Sequence, residues 1–174
     1  MSILFRGGTV ATETEIKIVD LLVIGDKIAT IGVDLPVLDA KVVDCDGLIL
    51  LPGGVEPHAH LSLPMFDTIS SDNHFTGHRS AAFGGTTTVM DFTSQSPGDS
   101  LQQSIDLSRS NAFEMAAVDY SFHVNVTDFS DDVASEIPGL PSQGLTTLKV
   151  FTAYNGRLRI SDEDISKVLH ITRE

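Results

Sequence analysis

Two short segments of the 174-residue sequence carry side chains whose type and spacing could do chemistry. The first is Pro57-His58-Ala59-His60, which follows an apolar run and a Pro-Gly-Gly turn. In an extended segment, residues two apart point the same way. Both imidazoles can therefore face one point at the strand's carboxyl end, the face where barrel enzymes keep their active sites. Neutral imidazole suits zinc and its divalent neighbours. A His-x-His pair alone also fits two exposed histidines; its position at the end of an apolar strand favours the metal reading.

The second segment is Thr146-Thr147-Leu148-Lys149-Val150-Phe151-Thr152-Ala153-Tyr154. A lysine in so apolar a run must extend its ammonium to solvent or have it neutralised, because an unpaired buried charge is costly. The bland reading is a partly buried lysine near a strand end. The sharper one is a neutral amine that takes up carbon dioxide as a carbamate, whose two oxygens bridge two cations about 3.5–4 Å apart.

Other candidates carry less. His123, in Asp119-Tyr120-Ser121-Phe122-His123-Val124-Asn125, reads as a hydrogen-bonded core residue. His74 and His78 stand at i, i+4 on a predicted helix, a spacing that can bind metal. They lack the glutamate of a metalloprotease helix and are expected to line a surface. His170 is expected to face solvent from the last helix. Ser94, Ser96 and Cys45 have no partner arrangement for nucleophilic catalysis.

The elements that must position these residues fall into two styles. Over residues 1–50, Ile16–Ile24 and Lys27–Gly32 flank Gly25-Asp26, a hairpin signal in which Gly supplies positive φ. A third run, Lys41–Cys45, precedes Asp46-Gly47. These short strands make a small sheet with an apolar face that needs covering. From Leu48 onward, apolar runs alternate with helix-length stretches. The runs are Leu48–Leu51, Thr86–Phe92, Val118–Val126 and Thr146–Tyr154; the predicted helices are Ser71–Phe83, Ser100–Ala117 and one capped by Ser161. Such repetition predicts a parallel sheet with right-handed crossovers. A closed eight-stranded barrel typically takes about 250 residues, so 51–174 is expected to supply its first four βα units.

Composition limits the partners. The chain carries 24 acidic and 11 basic residues, a net charge of −13, with 41% hydrophobic and 20% charged residues. This suits a soluble globular protein and argues against nucleic acid or an anionic membrane, which need a basic face. Cys45 is the single cysteine, so no internal disulfide forms, consistent with a reducing compartment. The amino-terminal apolar run is too short for a signal peptide, and no run approaches the roughly 20 apolar residues that span a bilayer. A cytoplasmic protein is expected.

Three motifs together resemble the cyclic amidohydrolases, in the family's order and spacing, across essentially the whole chain. Leu51-Pro52-Gly53-Gly54-Val55-Glu56-Pro57-His58-Ala59-His60-Leu61 resembles their metal-binding opening. Gly84-Gly85-Thr86-Thr87-Thr88-Val89-Met90-Asp91-Phe92 resembles their second barrel strand. Leu148–Tyr154 resembles the carbamylated-lysine segment of D-hydantoinases and dihydropyrimidinases. The resemblance implies an α/β fold: the first half of a TIM-type (β/α)8 barrel over 51–174, preceded by a small β-sandwich portion over 1–50. It implies two divalent ions, zinc first, with His58 and His60 on the more buried ion and carboxylated Lys149 bridging both. Tyr154 matches the tyrosine whose hydroxyl hydrogen-bonds the substrate carbonyl, and Leu63 and Phe66 are expected beside it in the substrate pocket. The implied reaction opens hydantoins or dihydropyrimidines, small cyclic diamides, to N-carbamoyl amino acids. The full-length protein is expected to be a homotetramer or homodimer.

Some alternatives stay open. Dihydroorotases place an arginine shortly after His-x-His, whereas His60-Leu61-Ser62-Leu63-Pro64-Met65-Phe66 has none and suits a neutral or hydrophobic exocyclic group. Many hydantoinases carry an acid where Ser62 stands. Allantoinase or dihydroorotase-like activity is an alternative, as is a non-catalytic assembly relative that keeps the fold. The remaining ligands, two histidines and an aspartate, are expected beyond Glu174, so residues 1–174 read as an amino-terminal fragment with little or no activity alone.

Overall fold

The computed structural model describes residues 1–65 and 67–173. The chain divides into two compact units, Met1–Pro52 and Gly53–Glu174.

The first unit is one mixed sheet. Strand β1 (Ser2–Ala11) is central: it pairs antiparallel with β2 (Ile16–Ile24), which pairs antiparallel with β3 (Lys27–Gly32). On its other edge β1 runs parallel to β4 (Lys41–Asp44) and then β5 (Ile49–Leu50). The β2–β3 turn uses Gly25 at φ 65°, as the Gly-Asp pair predicts. A bulge interrupts β1 between Phe5 and Gly8. Buried Asp20 fixes it by accepting the Gly7 N–H at 2.9 Å and the Leu35 N–H at 3.0 Å. Leu4, Val10, Leu22 and Cys45 are buried within the unit, while Ile16, Ile18 and Ile28 are exposed.

The second unit contains an all-parallel, four-stranded sheet in the order β11-β10-β9-β6. Its strands are β6 (Gly54–Glu56), β9 (Thr86–Phe92), β10 (Asp119–Val126) and β11 (Leu148–Val150). Between β6 and β9 lie a two-stranded ladder, β7 (Pro64–Met65) with β8 (Thr68–Ile69), and helix α1 (His74–Phe83). Helices α2 (Leu101–Ala112) and α3 (Asp131–Glu136) follow β9 and β10, and α4 (Asp162–Ile171) follows β11.

Local chemistry sets these boundaries. Asn73 and Thr76 form a reciprocal capping box at α1, and Ser100 and Gln103 form another at α2. Helix α1 therefore starts at His74, three residues later than Ser71. Ser161 caps α4, whose first turn holds Asp162, Glu163 and Asp164 where the helix dipole favours anions. Helix α2 ends at Ala112, short of the expected Ala117.

One strand assignment is corrected. Leu48–Leu51 does not open the parallel sheet: its Ile49–Leu50 pairs with β1 in the first unit, and Gly54–Glu56 is the first parallel strand. A continuous apolar run carries no face information, so it cannot say which sheet it joins. Gly53 explains where the parallel sheet begins. A Cβ there would lie 2.2 Å from Thr87 side-chain atoms, so only glycine admits this approach to β9.

Alternation along β10 and β11 separates two faces. Phe122, Val124 and Val126 pack with Leu101 and Ile105 of α2, Val133, Ile137 and Val168, with Leu148 and Val150 against the same cluster. The intervening His123, Asn125 and Lys149 belong to the opposite face.

Candidate metal centre

On that opposite face, adjacent strands place chemistry side by side. His123 is the register partner of Phe92, and Asn125 of Lys149. Pairing with β9 continues past the end of β6: the Ala59 N–H donates to the Met90 carbonyl at 3.0 Å. The Leu61 N–H donates to Asp91 Oδ2 at 3.1 Å, and the His58 N–H to Glu56 Oε1 at 2.9 Å. The His-x-His segment is thus held through the backbone N–H groups of residues 58, 59 and 61.

The rings converge on Phe92. His58 and His60 lie edge to face with centroids 5.1 Å apart. The Phe92 ring is 4.6 Å from His58, 4.9 Å from His60 and 4.8 Å from His123. Lys149 Nζ stands 4.0 Å from the Phe92 centroid and 5.0 Å from that of Phe151. A cavity of about 710 Å³ is lined by His58, His60, Leu63, Asn125, Lys149 and Tyr154. The structure therefore brings together every residue singled out from sequence for the centre and its pocket except Phe66, which lies outside the described residues.

Electrostatics at the cavity favour neutral donors. Burial lowers the His60 pKa, and the charges of Lys149 and His58 lower it further. Burial also lowers the Lys149 pKa. Neutral imidazole is the form that ligates metal, and neutral amine is the form that takes up carbon dioxide. His60 Nδ1 is buried without a hydrogen-bond partner, an omission that calls for an explanation in a folded protein. Among the described residues, no group of three or more His, Cys, Asp or Glu gathers to hold an ion. The chemistry of two imidazoles and a lysine fits part of a divalent-ion shell, to which the lysine would contribute only as a carbamate.

Tyr154 reaches the cavity from the loop after β11. Its φ of 63° is left-handed, a conformation costing a non-glycine residue about 1–2 kcal/mol. The loop closes around it: the Tyr154 carbonyl accepts the N–H groups of Arg157 and Leu158, each at 3.0 Å. The side chain is half exposed and sits 6.3 Å from the Phe151 ring. Strained backbone of this kind clusters at active sites and ligand clamps.

Two histidine readings are corrected. His74 and His78 do not line a surface; they are 2% and 0% exposed. The α1 face that carries them packs on the sheet, with His78 5.8 Å from the Tyr120 ring and His74 6.4 Å from Phe122. Asp91 lies on the same side, its Oδ2 3.9 Å from His74 Nε2. That separation is too long for a hydrogen bond. Burial lowers the His74 and His78 pKa values, with the charge of His78 further lowering His74 and the Val118 backbone opposing at His78. Burial pushes Asp91 up to about 6, against the backbone N–H groups of Phe92 and Leu61. The 3.9 Å approach is thus not a salt bridge near neutrality, because His74 stays uncharged. His123 is hydrogen-bonded as expected but is not in the core: it is only partly buried, on the cavity-side face. His170 is exposed.

Phe92 and Asn125 are residues that sequence reading did not assign to the centre. Asn125 is 8% exposed, lines the cavity, and has an Oδ1 without a partner. Only strand register shows that it neighbours Lys149.

No protein-family model matches the chain. Individual relatives do. The D-hydantoinase of Geobacillus stearothermophilus is 37% identical over 175 residues, covering 100% of this chain and 37% of that protein. The dihydropyrimidinase of Dictyostelium discoideum is 33% identical, covering 99% of the chain and 35% of that protein. Among solved structures, the dihydropyrimidinase from Brevibacillus agri superposes with a TM-score of 0.96 at 43% identity, covering 99% of this chain and 38% of that one. The chain spans about 37% of the length of the curated relatives it matches first. Over its own whole length, the chain is similar to D-hydantoinases and dihydropyrimidinases, of whose length it spans 35–38%.

Proposed function

We propose that the protein carrying this chain hydrolyses the cyclic amide bond of hydantoins or dihydropyrimidines, giving N-carbamoyl amino acids. The observation that carries this is the shared cavity: His58, His60, Lys149 and Tyr154 line one space of about 710 Å³. Its supports are the names of the relatives and the fit of the donor set. The parallel sheet is taken as the first half of a (β/α)8 barrel, whose active face lies at the carboxyl ends of the strands.

His58 and His60 would hold one divalent ion, zinc first, and Lys149 as carbamate would bridge it to a second. When bound, such ions polarise a carbonyl and lower the pKa of water. This chain's residues do the rest. Burial lowers the Lys149 pKa, which raises the share of neutral amine that carbamate formation requires. The Phe92 ring excludes water from one side of both imidazoles. Tyr154 donates its hydroxyl to the ring carbonyl under attack, where negative charge develops. Leu63 offers an apolar wall to the exocyclic group.

The test is a side-by-side assay of the intact protein on hydantoin, dihydrouracil, allantoin and dihydroorotate. Turnover of either of the first two with release of an N-carbamoyl amino acid supports the reading. Turnover of allantoin or dihydroorotate alone would replace it.

A further inference from the structure

The segments that carry His58 and Lys149 are far apart in sequence and join the sheet on different strands. One imidazole touches both. His123 Nε2 lies 2.9 Å from the Pro57 carbonyl oxygen, across 66 residues of sequence, and its Nδ1 lies 2.6 Å from Thr147 Oγ1. A carbonyl only accepts, so Nε2 carries the proton; in the neutral ring Nδ1 then accepts from the Thr147 hydroxyl. Both ring nitrogens are used, and the tautomer follows from the partners.

The position of each contact matters. The Pro57 carbonyl belongs to the peptide unit whose N–H is that of His58. That N–H donates to Glu56 Oε1 at 2.9 Å, so the peptide plane leading into His58 is held at both ends. Thr147 stands two residues before Lys149, and its carbonyl accepts the Val124 N–H at 3.0 Å. The His123 ring is also stacked on Phe92, at 4.8 Å and 31°. That same ring contacts His58, His60 and Lys149 Nζ.

We propose that His123 is a positioning residue that ties the His58 segment to the Lys149 strand, so that one imidazole sets the spacing of the metal donors. The inference rests on the metal-hydrolase reading above. His123 makes no claim on the ion itself: both its nitrogens are engaged elsewhere. Outer-shell hydrogen-bond partners that orient a metal-ligating side chain are commonly worth tenfold or more in metal affinity, and we extend that scale to a tie that fixes two ligand-bearing segments.

The experiment uses the intact protein and measures bound divalent metal by elemental analysis, its release rate to a chelator, and the melting temperature of the metal-free form. Variants are His123→Ala, Thr147→Val, the double variant and Thr147→Ser. His123→Ala and Thr147→Val should each speed release about tenfold. The double variant should be no faster than His123→Ala, because both break one tie. Thr147→Ser keeps the hydroxyl and should match wild type. A merely structural role would lower the metal-free melting temperature and leave release from folded protein unchanged. Thr147→Val keeps the side-chain shape, so the test stands even where His123→Ala folds poorly. Wild-type release rates in Thr147→Val, in a protein that binds metal, overturn the inference alone. A wild-type protein that binds no divalent metal overturns the metal reading and this inference together.

Discussion

Lys149 Nζ lies 4.0 Å from the centroid of the Phe92 ring, and that ring also packs against His58, His60 and His123. Phe92 is 6% exposed, so it is a packing element placed inside the centre. Phe92→Ala should cost about 3–5 kcal/mol of unfolding free energy, the usual range for such a truncation. Phe92→Leu should cost far less. Denaturant unfolding of the two variants checks this; a loss below about 1 kcal/mol in Phe92→Ala would show that the ring holds nothing in place.

Much of this arrangement is readable from sequence, and the remainder is unreadable for identifiable reasons. The run Thr86–Phe92 appears as a strand because β-branched residues follow a Gly-Gly helix stop, and the strand has those bounds. His58 and His60 declare themselves by type and spacing. Leu48–Leu51 misleads because an unbroken apolar run suits either sheet, and the determining contact is between Gly53 and Thr87, 34 positions apart in numbering but adjacent in space. His74 and His78 read as polar and hence exposed. Only the packing of α1 on Tyr120 and Phe122 buries them. The His123 tie to Pro57 is a long-range contact with no local signature.

Gly53 supplies a second expectation. A methyl group there would sit 2.2 Å from Thr87 Oγ1 and Cγ2. Gly53→Ala should therefore lower stability by about 1–3 kcal/mol, typical of forced overpacking. Exposed Thr87 tolerates truncation, so adding Thr87→Ala should recover part of the loss. Thermal melting of the single and double variants tests it, and an unperturbed Gly53→Ala protein would contradict the close approach.

Acid should weaken the fold through α1. His74 and His78 have pKa values lowered from 6.5 by burial. Their folded-state stability is therefore present above 6.5 and is lost as pH falls, because the unfolded chain binds protons the folded one resists. Asp91, raised to about 6, acts oppositely: its penalty at neutral pH is relieved as pH falls through that value. Urea unfolding at about pH 7.5 and about pH 5.5 should show wild type losing stability and His78→Leu losing less. Equal losses in the two proteins would refute the assignment.

Tyr154 bears on turnover. Under the proposed reaction, in which the Tyr154 hydroxyl serves the developing oxyanion, Tyr154→Phe should lower kcat about 10²-fold, with a smaller effect on KM. Steady-state kinetics on hydantoin or dihydrouracil measures both. An unchanged kcat removes Tyr154 from the reaction.

The convergence of His58, His60 and Lys149 on one ion centre is tested most directly by elemental analysis of the intact protein with and without the Lys149 side chain. Wild type should hold divalent metal, about two ions per chain, and Lys149→Ala should hold little or none while remaining folded by circular dichroism. A folded Lys149→Ala protein with the wild-type metal content would contradict the shared centre.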